Sequence, residues 1–419
     1  MKKFLLILIC VILVIPVFSF EASAGKSRYV FLRDGGTGDG SSYNKPVGTL
    51  ADAYNALDLS KDCVIIICGD FKQTGHFSYG KTYTGSVRFT SNYNGVDYGK
   101  KYGAEYISTA CRFVMWGETI FDDIDLKLSG NYFFIIANCY PITLTENFNP
   151  VYTKKVTGNA IDSGVSILGG FQNGQDMHEL ACYESININV LGGNNICIVA
   201  YNRSIKHGYH FGTANITVGG KAQVGTIRFA SIDASDIIGG NVNITVKDSA
   251  QVNYIRSGNK TNIDVNSVIV NWEGGKIGEF IPAETIKVGD VEVLNTEFAE
   301  GCHLRYSKTV EKSKDFKKIS ESFDHAVLIG SSEDNFVPTV EEKPADLISD
   351  IGADATVEVV TEEVIAEAET THEITWATHD DFVEIYEDDP ASIQNIVIIS
   401  ACGVISVCAI IIILLLRKK

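Results

Sequence analysis

The stretch that decides the fold is NITVGGKAQVGTIR, residues 215–228, which returns as NITVKDSAQVNYIR at residues 243–256. Nine of the 14 positions are identical, and the offset between the two copies is 28 residues. A weaker copy, NINVLGGNNICIVA, begins 28 residues earlier at Asn187, and a shifted copy, VIVNWEGGKIGEFI, begins at Val268. Self-similarity at a fixed period of this length is typical of proteins that stack one small structural unit.

Each copy contains two short segments with alternating apolar residues, I-x-V and V-x-x-I, separated by a turn of small residues. Such segments predict β-strands, and a unit this small cannot bury its own apolar face. Stacked copies can bury it, because equivalent positions then lie one strand spacing apart, about 4.8 Å. Stacked asparagines can also form hydrogen bonds along the stack. The predicted columns are Ile188, Ile216 and Ile244; Val199, Ile227 and Ile255; and Asn187, Asn215 and Asn243.

The fold predicted from these repeats is an all-β, right-handed parallel β-helix, a solenoid whose handedness follows from the general preference for right-handed crossovers. A leucine-rich or propeller repeat is the alternative. The repeats contain no helix-like segment and no L-x-x-L pattern, which counts against both. The helix-like segment at residues 49–57 is expected to cap the N-terminal end of the stack with one apolar face, made of Leu50, Ala53, Tyr54 and Leu57.

A glycine-rich loop precedes this helix and raises the question of nucleotide binding. A dinucleotide-binding loop needs its third glycine in the first helical turn, so that the helix N-terminus reaches the pyrophosphate. Here Gly36, Gly38 and Gly40 are separated from the helix by residues 41–48, and no second βα unit follows. Asp34 and Asp39 lack the alternating spacing of a calcium loop. The loop is therefore expected to be part of the cap and to bind no nucleotide.

The two ends of the chain predict export and membrane retention. Residues 1–24 have two lysines, an apolar run and an A-x-A motif, which is the pattern of a signal peptide. The β-helix ectodomain is then residues 25–332, followed by an acidic disordered linker at 333–392. A transmembrane helix is predicted at 393–416, because residues 396–416 carry no charge, and a cytoplasmic tail at 417–419.

The expected location is the cell surface, in a single-pass membrane protein whose N-terminal domain lies outside. The net charge of −17 comes from the linker, since residues 333–390 hold 19 acidic residues and one lysine. The rest of the chain is nearly neutral, which argues against a nucleic-acid partner. The segment Asp389-Pro390-Ala391-Ser392 partly resembles a cell-wall sorting signal, but isoleucine replaces the glycine that follows. Wall sorting is therefore the less favoured alternative to retention by the membrane helix.

Cysteines are too sparse to form a disulfide scaffold. Five of them lie in or beside apolar strand-like runs and are expected to be buried thiols, although one disulfide stays open. They are Cys63, Cys68, Cys111, Cys139 and Cys197.

The candidate binding residues are aromatic and basic. Tyrosines are concentrated between residues 79 and 106, and Tyr93, Tyr98 and Tyr102 are the candidates for ligand contact, with packing of the coil turns as the alternative. Arg228 and Arg256 stack at the repeat offset and could clamp a carboxylate sugar or a phosphate, or form a solvated ladder.

No catalytic residue or resident metal is predicted. Asp123 and Asp125 share one strand face, but no further metal ligands are apparent, so we expect a polar outer surface there.

The stretch YVFLRDGGTGDGSSYNKPVGTLADAYNAL at residues 29–57 resembles the N-terminal strand, turn and capping helix of pectate-lyase-like parallel β-helix proteins. Residues 87–99 and 116–148 resemble coils of uncharacterised surface proteins of Gram-positive bacteria. The resemblance covers roughly residues 29–280 and implies a fold and a surface location, with no agreed chemistry.

The predicted function is adhesin-like binding of an extracellular polysaccharide or of a host or bacterial surface component, without a cofactor. The alternative is a membrane-tethered, calcium-dependent polysaccharide lyase or glycoside hydrolase. A spacer without a ligand is a third possibility.

Overall fold

The structure is a computed structural model that describes residues 26–170, 179–182, 184–201, 207–230, 232, 235–258, 263–288 and 290–335. The predicted signal peptide, transmembrane helix, cytoplasmic tail and partial sorting signal lie outside these residues, as does nearly all of the acidic linker. In the described part of the chain, no helix is both long enough and apolar enough to cross a membrane.

The described residues are mostly β-structure. The helices are α1 (Leu50–Ala56), α2 (Tyr98–Tyr102), α3 (Lys308–Glu311) and α4 (Phe316–Ser320). In chain order, the strands are β1 (Tyr29–Leu32), β2 (Cys63–Ile67), β3 (Phe71–Gln73), β4 (Phe77–Ser78), β5 (Val87–Thr90), β6 (Asn92–Tyr93), β7 (Val96–Asp97), β8 (Tyr106–Ser108), β9 (Cys111–Val114), β10 (Thr119–Phe121), β11 (Ile124–Leu128), β12 (Tyr132–Ile136), β13 (Ile142–Leu144), β14 (Phe148–Tyr152), β15 (Gly164–Leu168), β16 (Glu179–Cys182), β17 (Ile186–Val190), β18 (Ile196–Val199), β19 (His207–His210), β20 (Ala214–Val218), β21 (Gln223–Arg228), β22 (Ser235–Val246), β23 (Gln251–Arg256), β24 (Ile263–Trp272), β25 (Lys276–Ile281), β26 (Thr285–Val288), β27 (Val291–Leu294), β28 (Thr296–Tyr306) and β29 (His325–Leu328).

Three long parallel sheets form the body of the molecule. Sheet 1 runs β1-β2-β5-β10-β13-β17-β20-β22-β24-β28-β29, with β16 and β19 attached beside β22. Sheet 2 is β3-β8-β11-β14, and sheet 3 is β4-β9-β12-β15-β18-β21-β23-β25. Up to β15 the chain visits the three sheets in turn, and after β15 it alternates between sheets 1 and 3. It comes back to each sheet beside the strand it left, so strand order follows chain order. The antiparallel pairs, β6–β7 and β26–β27, are local hairpins.

The register confirms the first predicted column and corrects the second. Ile188 pairs with Ile216, which pairs with Ile244, and all three side chains are buried. In sheet 3, Ile227 and Ile255 pair as expected, but their partner is Ile198. The prediction of Val199 was wrong by one residue, because the register shifts after Ile196.

The asparagine column is confirmed as a ladder of side-chain hydrogen bonds. Asn215 Nδ2 donates to Asn187 Oδ1 over 3.2 Å, and Asn243 Nδ2 donates to Asn215 Oδ1 over 3.0 Å. Each amide therefore satisfies a neighbour one coil away, as predicted for stacked asparagines. The column ends at the next strand, where Ile269 pairs with Asn243.

One apolar core runs between the sheets, and its composition changes along the stack. The repeated coils are filled by isoleucine and valine. The earlier coils, which also include sheet 2, are filled by aromatic rings, and the Phe89 and Phe121 rings lie parallel at 5.1 Å. Larger side chains thus occupy the part of the stack that three sheets enclose. The principal rings are Phe71, Phe89, Tyr106, Phe113, Phe121, Phe133 and Phe148.

The N-terminal cap is as predicted. Thr49 caps α1 by accepting a hydrogen bond from the Asp52 backbone N–H over 3.1 Å, and the four residues of its apolar face are buried. The glycine loop uses its amides internally: Gly38 N–H donates to Pro46 and Gly40 N–H to Lys45. These donors are therefore occupied within the cap rather than arranged around a phosphate.

The opposite end of the stack is covered by α3 and α4. Val310 and Ile319, one from each helix, are buried. Phe323, just after α4, stacks on Phe280 of β25 with 4.0 Å between ring centroids. Both ends of the described stack are thus covered by short helical segments.

The cysteine prediction is confirmed for four of the five thiols. Cys63, Cys68, Cys111 and Cys197 are free and buried, whereas Cys139 is free and half-buried. Burial raises the pKa of Cys68 to about 11 and that of Cys197 to about 12, so both stay protonated at neutral pH.

Candidate functional site

An insertion between β5 and β8 carries the three candidate tyrosines. After Thr90 the chain leaves the three sheets and forms the β6–β7 hairpin and then α2. Asp97 caps this helix: its side chain accepts a hydrogen bond from the Lys100 N–H over 2.8 Å. Gly103, at a φ of 68°, ends the helix in the left-handed region. The Asn92 amide donates to the Asp123 carboxylate over 2.7 Å, which fixes the start of the insertion to the next coil.

The insertion folds back over the outer side of β1. Val30 and Leu32 of β1 point into the core, so Tyr29 and Phe31 face outward, where the insertion meets them. The resulting surface, called the aromatic patch below, is defined by Tyr29, Phe31, Tyr43, Tyr93, Tyr98 and Tyr102.

Ring stacking holds the aromatic patch together. The Tyr43 ring stacks on Tyr102 with 4.7 Å between centroids and an interplanar angle of 23°, and on Tyr98 at 5.7 Å. Phe31 makes edge contacts with Tyr98 and Tyr93, and Tyr93 also contacts Tyr29 at 5.6 Å. These distances are those of favourable aromatic pairs.

The three candidate tyrosines differ in exposure. The side chain of Tyr98 is only 7 % exposed and supports the patch from below, whereas Tyr102 is 44 % exposed. Tyr93 is half-buried. Burial raises the pKa of Tyr98. Of the predicted contact residues, Tyr102 therefore presents the most surface to a ligand.

Cations border the aromatic patch. Arg33 lies over the Tyr43 ring, 5.6 Å from its centroid, and the Lys101 ammonium lies 5.1 Å from the centroid of Tyr102. A hydrogen bond with Tyr102 raises the pKa of Lys101, so this lysine stays charged. The patch thus combines flat apolar faces, hydroxyl groups and positive charge.

The two candidate arginines lie elsewhere, on neighbouring strands of sheet 3. Arg228 and Arg256 pair in register as predicted. Arg228 is only 8 % exposed and donates to the Ser257 carbonyl over 3.1 Å, while Arg256 forms an ion pair with Glu284. Arg228 is thus buried between neighbouring coils. Both predicted alternatives, an exposed clamp and a solvated ladder, were wrong for this residue. The aromatic patch is the better candidate surface.

The acidic run at residues 122–125 has internal partners. Asp122 accepts from Thr145 over 2.7 Å, and Asp125 accepts from Asn149 over 2.6 Å. In the part of the chain that the structure describes, no group of three His, Cys, Asp or Glu side chains is arranged to hold a metal ion. These contacts are those expected of a polar outer surface. Asp123, however, precedes β11 at a φ of 46°, so the prediction that it shares a strand face with Asp125 was wrong.

Sequence reasoning missed Tyr29, Tyr43 and Arg33 as members of the patch. The alternation of inward and outward side chains along β1 could have identified Tyr29, because the residues that flank Val30 on a half-buried strand must face outward. Nothing local in the sequence indicates that the glycine loop brings Tyr43 to the same place.

In comparisons with known proteins, no family model, no curated protein and no solved structure matches this chain.

Proposed function

We propose that this chain is a right-handed parallel β-helix, displayed at the cell surface on an acidic stalk and held by its C-terminal helix. Three observations support the fold: the long parallel sheets, the strand order that follows chain order, and the 28-residue repeat. The signal-peptide pattern and the uncharged segment before the terminal cations support display at the surface.

The function of the displayed domain, in this proposal, is binding of an extracellular polysaccharide through the aromatic patch. The observation that carries it is the exposed Tyr102 ring, which is stacked on Tyr43 and has the Lys101 ammonium over it. A stacked ring is already ordered, so a sugar that packs on it costs little side-chain entropy. The apolar face of a sugar ring can cover the tyrosine while its hydroxyls meet the tyrosine hydroxyl and the nearby cations.

The test uses the full chain in detergent and a panel of insoluble plant, mucin and cell-wall polysaccharides. Tyr102→Ala should reduce retention about tenfold, as loss of one aromatic stacking contact predicts. Tyr102→Phe keeps the ring and should keep most of the retention. Leu294→Ala is the control for loss of exposed apolar surface, because Leu294 is 63 % exposed on β27 and lies outside the patch.

Two outcomes would count against the proposal. Equal retention by the wild type and Tyr102→Ala would exclude the aromatic patch as the binding surface. Calcium-dependent release of unsaturated oligosaccharides, read by mass spectrometry with and without chelator, would favour the tethered lyase instead. Retention without released products is the expected result.

A further inference from the structure

A second surface, on sheet 3, is shaped by residues 153–163, called the strap below. The strap begins directly after β14 and crosses the outer face of sheet 3. There Ile161 joins an apolar cluster with Phe134, Leu168 and Val199, on the side of the sheet opposite the main core. The Ser166 hydroxyl donates to the Ile161 carbonyl over 2.7 Å. The strap is therefore packed onto the sheet rather than projecting from it.

Two glycines let the strap lie directly on the strands. A Cβ on Gly158 would come within 2.4 Å of the Asn195 backbone, and one on Gly225 would come within 2.4 Å of Gly158. Gly225 is the extra residue at the register shift between β18 and β21. This β-bulge is the one that placed Ile198 rather than Val199 in the column of Ile227, and it lies where the strap packs on the sheet. Bulges commonly change the direction of neighbouring side chains.

The strap forms one wall of an open groove whose floor is β23 and β25, called the strap groove. Its volume is about 430 Å³, inside the range of roughly 300–1,000 Å³ that small-molecule sites occupy. Gly278 lies directly against the neighbouring strand, since a Cβ there would come within 2.5 Å of the Asn253 carbonyl oxygen. The polar side chains that line the groove are Thr157, Asn159, Asn195, Gln251, Asn253 and Tyr254.

The lining of the groove has no net charge, and its polar groups both donate and accept hydrogen bonds. Amides and hydroxyls both donate and accept hydrogen bonds. The charged groups of the lining are one ammonium, on Lys276, and one carboxylate, on Glu279, so they balance. The Glu279 carboxylate also lies 3.6 Å from the Lys318 ammonium. Among the described residues, the side chains of Gln251, Asn253 and Tyr254 form no hydrogen bond, which leaves their donors and acceptors available.

We propose that the strap groove binds a neutral oligosaccharide, as a second site independent of the aromatic patch. Sugar hydroxyls donate and accept, as the groove amides do, so each can satisfy the other. The carboxylate of a uronic acid offers acceptors only, so where it replaces a hydroxyl it leaves an amide oxygen without a partner. The Tyr254 ring supplies the apolar face on which one sugar ring packs. The two sites are far apart, since seven strand steps of about 4.8 Å separate β1 from β22, the strand level with β23.

The test is a calorimetric titration of the full chain in detergent with neutral linear hexasaccharides of glucose, mannose and galactose, and with uronic-acid hexasaccharides. At least one neutral hexasaccharide should bind. Asn253→Asp keeps the shape of the side chain but removes its donors, and it should weaken that binding about tenfold. Tyr254→Ala should weaken it by a similar factor. Asn253 is exposed, so Asn253→Asp should leave the unfolding temperature unchanged.

Two controls separate this site from its rivals. Tyr102→Ala should leave hexasaccharide binding unchanged, because that residue belongs to the aromatic patch. Raising the salt concentration should leave neutral binding within about twofold, since the proposed recognition does not depend on charge. The proposal is overturned if no neutral hexasaccharide binds, if Asn253→Asp binds as the wild type does, or if binding is restricted to uronic acids and lost at high salt.

Discussion

Replacing Asn215 with alanine removes two hydrogen bonds, whereas replacing Asn243 removes one. Asn215 is the middle member of the ladder: it donates to Asn187 and accepts from Asn243. Asn243 is the last member, because Ile269 occupies the next position in register. The two single variants and the double variant therefore differ in how many hydrogen bonds of the same ladder they break.

The expected losses in the free energy of unfolding follow from this count. A net contribution of about 1 kcal/mol for each hydrogen bond gives ~2 kcal/mol for Asn215→Ala and ~1 kcal/mol for Asn243→Ala. The double variant should also lose ~2 kcal/mol, since the bond that the two residues share is lost only once. For about 300 ordered residues, 1 kcal/mol corresponds to roughly 1.5 °C, so the melting temperatures should fall by roughly 3, 1.5 and 3 °C.

The assay is urea and thermal unfolding of the full chain in detergent, followed by tryptophan fluorescence, to which the buried Trp272 on β24 contributes. Hydrogen exchange at residues 214–218 reports the same losses locally. Thr217→Ala is the control, because Thr217 lies on the same face of the same strand and outside the ladder. Equal losses for the two single variants, with an additive double variant, would refute the ladder as the source of stability.

Three further predictions concern the core, the strap and the C-terminal end. Ile216→Ala should cost about 2–5 kcal/mol, because the buried column leaves no room for collapse, and an unchanged urea midpoint would contradict this. Gly225→Ala should cost about 1–3 kcal/mol and speed hydrogen exchange in the strap, because the new Cβ meets Gly158, and unaltered exchange would show that the strap is not held there. The Arg305 hydrogen bond lowers the pKa of Asp334 to about 2, from roughly 3.9 in the unfolded chain. This pair should therefore add stability above about pH 4 and lose it as the pH falls toward 2. The partly exposed pair is worth ~1 kcal/mol after screening, and Asp334→Asn should abolish that part of the acid dependence in urea titrations at several pH values.

The repeats made the central coils predictable because one period, 28 residues, is kept from Asn187 to Arg256. A constant period fixes which residues stack, and the two confirmed columns, of Ile216 and of Asn215, depend on nothing else. The column assigned to Val199 failed because the β-bulge at Gly225 shifts the register by one residue, at the point where Gly225 lies against Gly158 of the strap. Gly158 of the strap is distant in sequence from Gly225, and no local sequence pattern indicates that the two backbones are in contact.

The candidate site was predictable only in part, for a similar reason. Tyr93, Tyr98 and Tyr102 are close in sequence and do share one surface. Their division into a supporting ring and an exposed ring depends on how the insertion folds over Phe31. That arrangement is tertiary, and neither the composition nor the spacing of the tyrosines encodes it.

The covered ends of the stack have a consequence for how such a chain can change in length. With α1 at one end and α3 and α4 at the other, additional coils cannot be appended at the termini without losing a cap. Lengthening or shortening must occur inside the stack. Deleting residues 215–242 would join Ala214 to Asn243 and bring Asn243 directly beside Asn187, with the inward and outward alternation preserved. The 28-residue coil is thus a unit that recombination could add or remove in evolution, changing the reach of the molecule by one strand spacing at a time.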